Sequence, residues 1–290
     1  MLSRLSNSPL TQLHTAVLLF GGTALFSKLV PLPALDITFW RCAMAAIAIA
    51  LIIRLSGQKL RLQATKDYGW AFVLGTLVCL HWVTYFASMQ MSTVAIGVIA
   101  FFSYPVMVVL MEPYFTGNKL APVDLLAAIL VFSGIALMMP DFDLSNEITQ
   151  GVLLGVLSAA LFSVRNLLYK RHFSQYSGQQ AMMYQSLVAV LILAPFVGEQ
   201  HLEMAFDDWG LLAMLALLFT ALPHSMFNAA LSQLPAKTVG LINCLQPLYA
   251  TALALIVLAE VPSVTTLLGG ALVVSTAMYE TQKTRKTRRK

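Results

Sequence analysis

The chain predicts an all-α integral membrane protein, with ten transmembrane helices arranged as two inverted five-helix repeats and both termini cytoplasmic. Three observations carry that expectation. Its 290 residues are 58% hydrophobic and only 11% charged, against roughly 25% charged in a typical soluble domain. Apolar runs long enough to cross a bilayer recur along its length, and Lys and Arg collect on one set of the loops between them.

A membrane helix needs about 20 mostly apolar residues to cross about 30 Å of hydrocarbon. Ten segments fit, near 12–30, 36–54, 68–89, 93–112, 121–139, 149–168, 180–198, 209–231, 238–258 and 262–280. The first runs on through Lys28 without an obvious small-residue cleavage site, so it reads as a retained helix and not a secretory signal. The second is interrupted by Arg41. No Asp, Glu, Lys or Arg occurs from Tyr68 to Met111, a stretch long enough for two crossings, with a polar break at Gln90, Ser92 and Thr93 between the third and fourth segments. The alternating pattern of barrel strands is missing, and only helices or closed barrels satisfy their backbone in lipid. Cys42, Cys79 and Cys244 fall inside segments without paired spacing, so neither a disulfide nor a metal site is expected.

Cytoplasmic loops are enriched in Lys and Arg. One set of loops holds Arg4; Arg54, Lys59, Arg61 and Lys66; Lys119; Lys170 and Arg171; Lys237; and the tail TQKTRKTRRK. The opposite set holds PLPALD, DFDLSNE, GEQHLEMAFDD and AEVP, with acids and no Lys or Arg. The basic tail, 281–290, follows a membrane span, so it reads as a topology determinant touching anionic lipid, with no nucleic-acid partner.

The second half repeats the first. ALFS occurs at 24–27 and again at 160–163, and YFASMQ from Tyr85 resembles FNAALSQ from Phe227. Pro105 with Pro247 and Ser133 with Ser275 keep one common spacing; Gln90 with Gln233 and Gly97 with Gly240 keep it plus one residue. Consecutive copies of an odd number of spans enter the membrane from opposite sides. The expected repeats are 12–139 and 149–280, an inverted plan that recurs among secondary transporters, whose sites lie where the repeats meet.

The stretch GLINCLQPLYATALALIVLAEVPSVTTLLGGALVVSTAMY resembles the closing motif of an EamA domain of the drug/metabolite transporter superfamily. Pro247, Glu260 and the Gly269-Gly270 pair carry the likeness. The first half is similar over SYPVMVVLMEPYFTGNKLAPVDLLAAILVFSGIALM, but Asn118 stands at the position of Glu260 and Glu112 lies earlier. The resemblance covers about 13–280. It implies ten helices and transport of a small metabolite, with export of amino acids or related compounds as the expected direction and class.

Candidate site residues follow from polarity within the spans. His81, Trp82 and Tyr85 lie on the third, His224 and Asn228 on the eighth. His81 with Tyr85 and His224 with Asn228 are i, i+4 pairs, each sharing a helix face. Such residues either make interhelical hydrogen bonds or line a substrate cavity. Tyr104 and Gln246 are further candidate contacts beside Pro105 and Pro247, which remove a backbone donor and kink a helix for packing or to open a cavity. Among aromatic residues, Trp40, Trp82, Tyr104, Tyr184 and Tyr249 offer stacking surfaces. Three cations fall within spans: Lys28, Arg41 and Arg165. Snorkelling to headgroups is one reading; binding a substrate carboxylate or gating the pathway is the other.

These features point to a carrier working by alternating access in the inner membrane, with a small-molecule substrate, the lipid bilayer as solvent and no cofactor. His81 or His224 is a candidate for a coupling proton, since histidine titrates near neutrality. Monomer and homodimer stay equally open. The alternative is a membrane-embedded enzyme acting on a lipid or small molecule, but the chain has no H-E-x-x-H, no paired mid-membrane aspartates and no loop long enough for a catalytic domain.

Overall fold

The computed structural model describes residues 8–116, 120–139, 143–234 and 236–287. Arg4, Asn118, Lys119 and the last three residues lie outside them, as do the side chains of Asn228, Lys237 and residues 283–287. Among the described residues there is no β-strand. The helices are α1 (Pro9–Thr23), α2 (Phe26–Leu29), α3 (Ala34–Leu55), α4 (Thr65–Met91), α5 (Val94–Phe101), α6 (Tyr104–Thr116), α7 (Pro122–Met138), α8 (Glu147–His172), α9 (Gly178–Leu193), α10 (Phe206–Ala216), α11 (Leu222–Gln233), α12 (Ala236–Asn243), α13 (Gln246–Leu258) and α14 (Val264–Thr287). Eight helical stretches among the described residues are long and apolar enough to cross a membrane, and α7 is a shorter apolar helix.

Local chemistry explains where several helices start. Thr93 Oγ1 accepts from Ile96 N at 3.2 Å to open α5, Asn146 Oδ1 from Ile148 N at 2.9 Å to open α8, and Ser177 Oγ from Gln180 N at 3.1 Å to open α9. Each satisfies an amide that the helix itself leaves without an acceptor. Glu260, the turn residue of the closing motif, reaches the other half: its Oε2 accepts from Val94 N at 2.9 Å, placing a carboxylate at the N-terminus of α5, where the helix dipole favours negative charge.

Several spans are broken. Between α1 and α2 the chain turns at Ala24 and Leu25, inside the first ALFS; α5 yields to α6 at Phe102 and Ser103, and α12 to α13 at Cys244 and Leu245. Pro105 and Pro247 are the second residues of α6 and α13. In a first turn the missing N–H has no intrahelical acceptor to lose, so each proline restarts a broken helix. A π-helical turn, Leu217–Ala221, joins α10 to α11.

The halves pack mainly on each other. α4 lies against α8 and α3 against α9, α1 takes α11 and α13, α5 and α6 reach α8, and α7 crosses α14. At that last crossing a Cβ on Gly134 would stand 2.8 Å from the carbonyl oxygen of Gly269, so the backbones touch because neither residue has a side chain. The outward surface is apolar, with Ile47, Leu51, Ile129, Leu191 and Ile256 all more than half exposed. Such a surface is unsuited to water and matches hydrocarbon.

Candidate functional site

The helix breaks converge on one cavity. Tyr104, the first residue after the α5–α6 break, accepts at its hydroxyl from Asn243 Nδ2 at 3.0 Å, and Asn243 is the last residue before the α12–α13 break. Ser163 Oγ on α8 lies 3.1 Å from Tyr104 O, beside the same break, and 2.7 Å from Ala159 O one turn back in its own helix. Around these contacts lies a cavity of about 370 Å³ walled by α1, α3, α4, α8, α9, the π-turn, α11 and the broken spans. Phe20, Phe101 and Phe162 give it an aromatic lining, and Gln246 sits at the second break. The wall follows α8 from Phe162 past Arg165, Asn166 and Tyr169 to Gly178, the first residue of α9, close to Lys170 and Arg171 in sequence.

The π-turn shapes one wall. Thr220 Oγ1 donates to Leu215 O at 2.9 Å, five residues back, and Thr220 O accepts from His224 Nδ1 at 2.7 Å. Thr23 Oγ1, at the end of α1, donates to Phe219 O at 2.8 Å. A widened turn frees carbonyls from the α-helical ladder, and such turns are frequent at functional sites. Here the carbonyls orient His224 and anchor α1.

His81 both bridges helices and faces the cavity. Ser158 Oγ donates to His81 O at 3.1 Å and lies 2.7 Å from His81 Nδ1. The hydroxyl has one proton; with that proton on the carbonyl, Nδ1 is the donor of the second bond. The ring stands 4.8 Å from Phe162 and 5.1 Å from Phe101, centroid to centroid.

The two arginines differ most from a snorkelling picture. Arg41 is 2% exposed, on the cavity wall about two turns into α3. Its guanidinium carbon lies 4.2 Å from the centroid of Trp82 and 5.0 Å from that of Phe86, and its Nε and Nη2 are buried without a hydrogen-bond partner. Arg165 sends Nε and Nη2 to Gln185 Oε1 at 3.0 and 2.6 Å and Nη1 to Asn166 Oδ1 at 3.0 Å. Gln185 is itself fully buried, with Nε2 unpartnered, and the Tyr85 hydroxyl is likewise unpartnered. Among the described residues no Asp or Glu lines the cavity, and the ion pair present is elsewhere, Lys170 with Glu112 at 3.9 Å. Among the described residues, two cations therefore share an aromatic-lined cavity with no carboxylate lining it to balance them.

Of the residues singled out in the sequence, His81, Trp82, Tyr85, Tyr104, His224, Gln246, Arg41 and Arg165 all face this cavity. The side chain of Asn228 lies outside the described residues. Lys28 is elsewhere: its Nζ donates to Gln90 O at 3.0 Å and Ser92 O at 3.1 Å, at the C-terminus of α4. Of the other aromatics, Tyr184 donates its hydroxyl to Leu60 O at 3.0 Å, Tyr249 pairs with His14 at 3.3 Å, and Trp40 packs on Trp209. Sequence reasoning missed Gln185, Asn166, Asn243, Phe101 and Phe162. A signal existed for Gln185, a polar residue in an otherwise apolar span, and for Asn166, beside an intramembrane arginine.

Comparison with known proteins gives the same class. The model of the EamA-like transporter family matches residues 10–139 and 149–279. The transporter YxxF of Bacillus subtilis (strain 168) is 26% identical over 263 residues, 87% of this chain and 82% of that protein. The threonine/homoserine exporter RhtA of Escherichia coli (strain K12) is 27% identical over 271 residues, 92% and 88% of the two chains. The pseudopaline exporter CntI of Pseudomonas aeruginosa (strain UCBPP-PA14) is 24% identical over 244 residues, 84% of each. A solved crystal structure covering 98% of this chain and 99% of its own superposes with a TM-score of 0.64 at 16% identity, a likeness of fold. With family matches over both halves and helices long and apolar enough to span a membrane, this chain belongs to the EamA-like transporter family of the drug/metabolite transporter superfamily and is a multi-pass membrane transporter.

Proposed function

We propose that this protein exports small carboxylate-bearing metabolites, amino acids or related compounds, from the cytoplasm across the inner membrane. It works by alternating access between two inverted repeats of five spans, 12–139 and 149–280, with the basic tail, 281–290, in the cytoplasm. The observation that carries the reading is the cavity itself, walled by helices of both halves and holding two guanidiniums, that of the buried Arg41 and that of the half-buried Arg165. Its wall extends to Gly178, at the end of the bundle nearest the basic Lys170 and Arg171. On the positive-inside rule that end is cytoplasmic, so the state is inward-facing and ready to load.

Helix pairing supports the repeat. Exchanging the halves carries the pairing of α4 with α8 onto that of α11 with α1, and the pairing of α5 and α6 with α8 onto that of α12 and α13 with α1. The pairs α3 with α9 and α7 with α14 map onto themselves, as elements on a two-fold axis do. Rocking one repeat against the other about such an axis would close the cytoplasmic mouth and open the other. Export is the direction that the names of RhtA and CntI carry.

The test is counterflow in proteoliposomes preloaded with unlabelled threonine, homoserine and short-chain carboxylates. Saturable accumulation of the matching labelled solute, absent from protein-free vesicles, is the expected result; failure with every solute sinks the reading. Imposing a pH gradient on the same vesicles tests His81 and His224 as carriers of a coupling proton. A rate indifferent to the gradient removes them from that role.

A further inference from the structure

We propose that the substrate is a dianion: two carboxylates joined by a short apolar spacer, one seated on Arg41 and the other beside Arg165 and Gln185. This rests on the transporter reading above and confines its small carboxylate-bearing metabolites to dicarboxylates, in place of zwitterionic amino acids.

The argument is one of charge and of donors. An arginine does not lose its proton in a protein, so the cavity carries two full positive charges. Among the described residues, none of its lining side chains is acidic. The buried polar atoms of the wall left without partners can all donate. Arg41 Nε and Nη2, Gln185 Nε2 and the Tyr85 hydroxyl are all buried without partners, and all belong to residues of this one wall. A solute that satisfied them would bring acceptors and negative charge.

The geometry separates two seats. Nε and Nη2 form the side-on edge of a guanidinium, which meets a carboxylate with two parallel hydrogen bonds. On Arg41 that edge is buried and has no hydrogen-bond partner, with the guanidinium carbon 4.2 Å from the centroid of Trp82, so a carboxylate reaches it by displacing the side chains packed over it. On Arg165 the same edge is already bridged by Gln185 Oε1 at 3.0 and 2.6 Å. That oxygen is neutral and leaves the charge unbalanced, while turning Gln185 Nε2 into a second free donor. One carboxylate therefore takes the Arg41 edge, and the other comes to Gln185 Nε2 within the field of Arg165. Phe101, Phe162 and Tyr104 line the same space and suit an apolar spacer. A cavity of about 370 Å³ holds a small solute and is near the lower end of ligand pockets. A zwitterionic α-amino acid finds no carboxylate here for its ammonium.

The test uses purified protein in detergent at constant ionic strength, with succinate to pimelate, the length-matched monocarboxylates butyrate to heptanoate, threonine and inorganic phosphate as probes. Binding is read by thermal shift and calorimetry. At least one dicarboxylate should bind tenfold or more tighter than its monocarboxylate, threonine and phosphate. In Arg41→Gln that advantage should fall below twofold, and Arg41→Lys, which keeps the charge and loses the paired edge, should recover only part of it. Arg165→Gln should do the same if it folds; the Arg41 variants decide the matter if it does not. Equal binding of mono- and dicarboxylates, equal binding of phosphate, or an advantage that survives Arg41→Gln overturns the proposal. Counterflow separates the levels of failure. Exchange of threonine without any dicarboxylate defeats this inference alone, and exchange of nothing defeats the transporter reading with it.

Discussion

Arg165 and Arg41 both turn a guanidinium into the cavity, and their surroundings differ in kind. Arg165 makes hydrogen bonds through all three nitrogens, to Gln185 Oε1 and Asn166 Oδ1, whereas Nε and Nη2 of Arg41 are unpartnered against the faces of Trp82 and Phe86. Magnitudes say what this means. Burying an ion costs several kcal/mol even after relaxation. Hydrogen bonds to a charged group contribute about 1.5–3 kcal/mol each, so the set around Arg165 offsets most of that cost. A desolvated cation–π contact contributes about 2 kcal/mol; Arg41 makes two, to Trp82 and Phe86, and Arg165 one, to Tyr169. Arg165 is thus tied into the scaffold by hydrogen bonds, while Arg41 is held by two rings with Nε and Nη2 unpartnered, which on the proposed reading an incoming anion would satisfy.

The sharpest way to break this comparison is Arg41→Gln. Removing an uncompensated charge should leave the unliganded protein as stable or raise its melting temperature, while anion binding weakens by about 2–4 kcal/mol through loss of a paired, charge-assisted contact. Calorimetry with a carboxylate ligand, beside thermal unfolding in detergent, reads both. A lower melting temperature with unchanged binding would reverse the assignment.

Arg165→Gln should divide the other way. Gln185 Oε1 loses both donors at a fully buried position, so stability should fall by about 2–3 kcal/mol. The shift in unfolding midpoint tests it, and a variant as stable as the parent would show that the hydrogen bonds contribute little.

Gln185→Glu probes the charge balance with almost no change of shape. It would give Arg165 a carboxylate in place of a neutral acceptor, stabilising the unliganded protein by about 1–2 kcal/mol and weakening anion binding roughly tenfold, because about 1.4 kcal/mol corresponds to a factor of ten. Stronger anion binding in this variant would contradict the picture of an uncompensated cavity.

Lys28 supplies the smallest expected effect. Its ammonium is on the exposed C-terminal carbonyls of α4, where a cation contributes about 0.3–1 kcal/mol. Lys28→Gln should shift the unfolding midpoint slightly and leave transport at parental rates per folded molecule. A loss of transport in vesicles would restore it to the pathway.

Much of the cavity lining was legible because intramembrane polarity is costly and therefore informative. His81, Tyr85, His224, Arg41 and Arg165 stood out against apolar spans, and all face the cavity. Lys28 stood out equally and does not line it. A cation near a helix end meets carbonyls, headgroups or a cavity according to tertiary packing, and its place in the sequence is the same in each case. Phe101 and Phe162 were invisible for the opposite reason: an aromatic residue in an apolar run has no polar mark to distinguish cavity from lipid. The π-turn at Leu217–Ala221 left no trace either, since LLFTA reads as ordinary helix and only the bonds of Thr220, His224 and Thr23 reveal the widened turn.

Composition and periodic apolarity by themselves determined that this chain is a helical membrane protein, because lipid tolerates no unpaired backbone and the length of each run is set by bilayer thickness. The recurrence of Pro105 and Pro247 in matching surroundings marked two spans for a kink, and the structure shows each span broken just before its proline. Which charges are balanced was decided only in three dimensions. Arg165 meets Gln185 across α8 and α9, and Arg41 meets the rings of Trp82 and Phe86 across α3 and α4. Partners from separate helices become neighbours through packing, and the sequence spacing between them does not encode that distance.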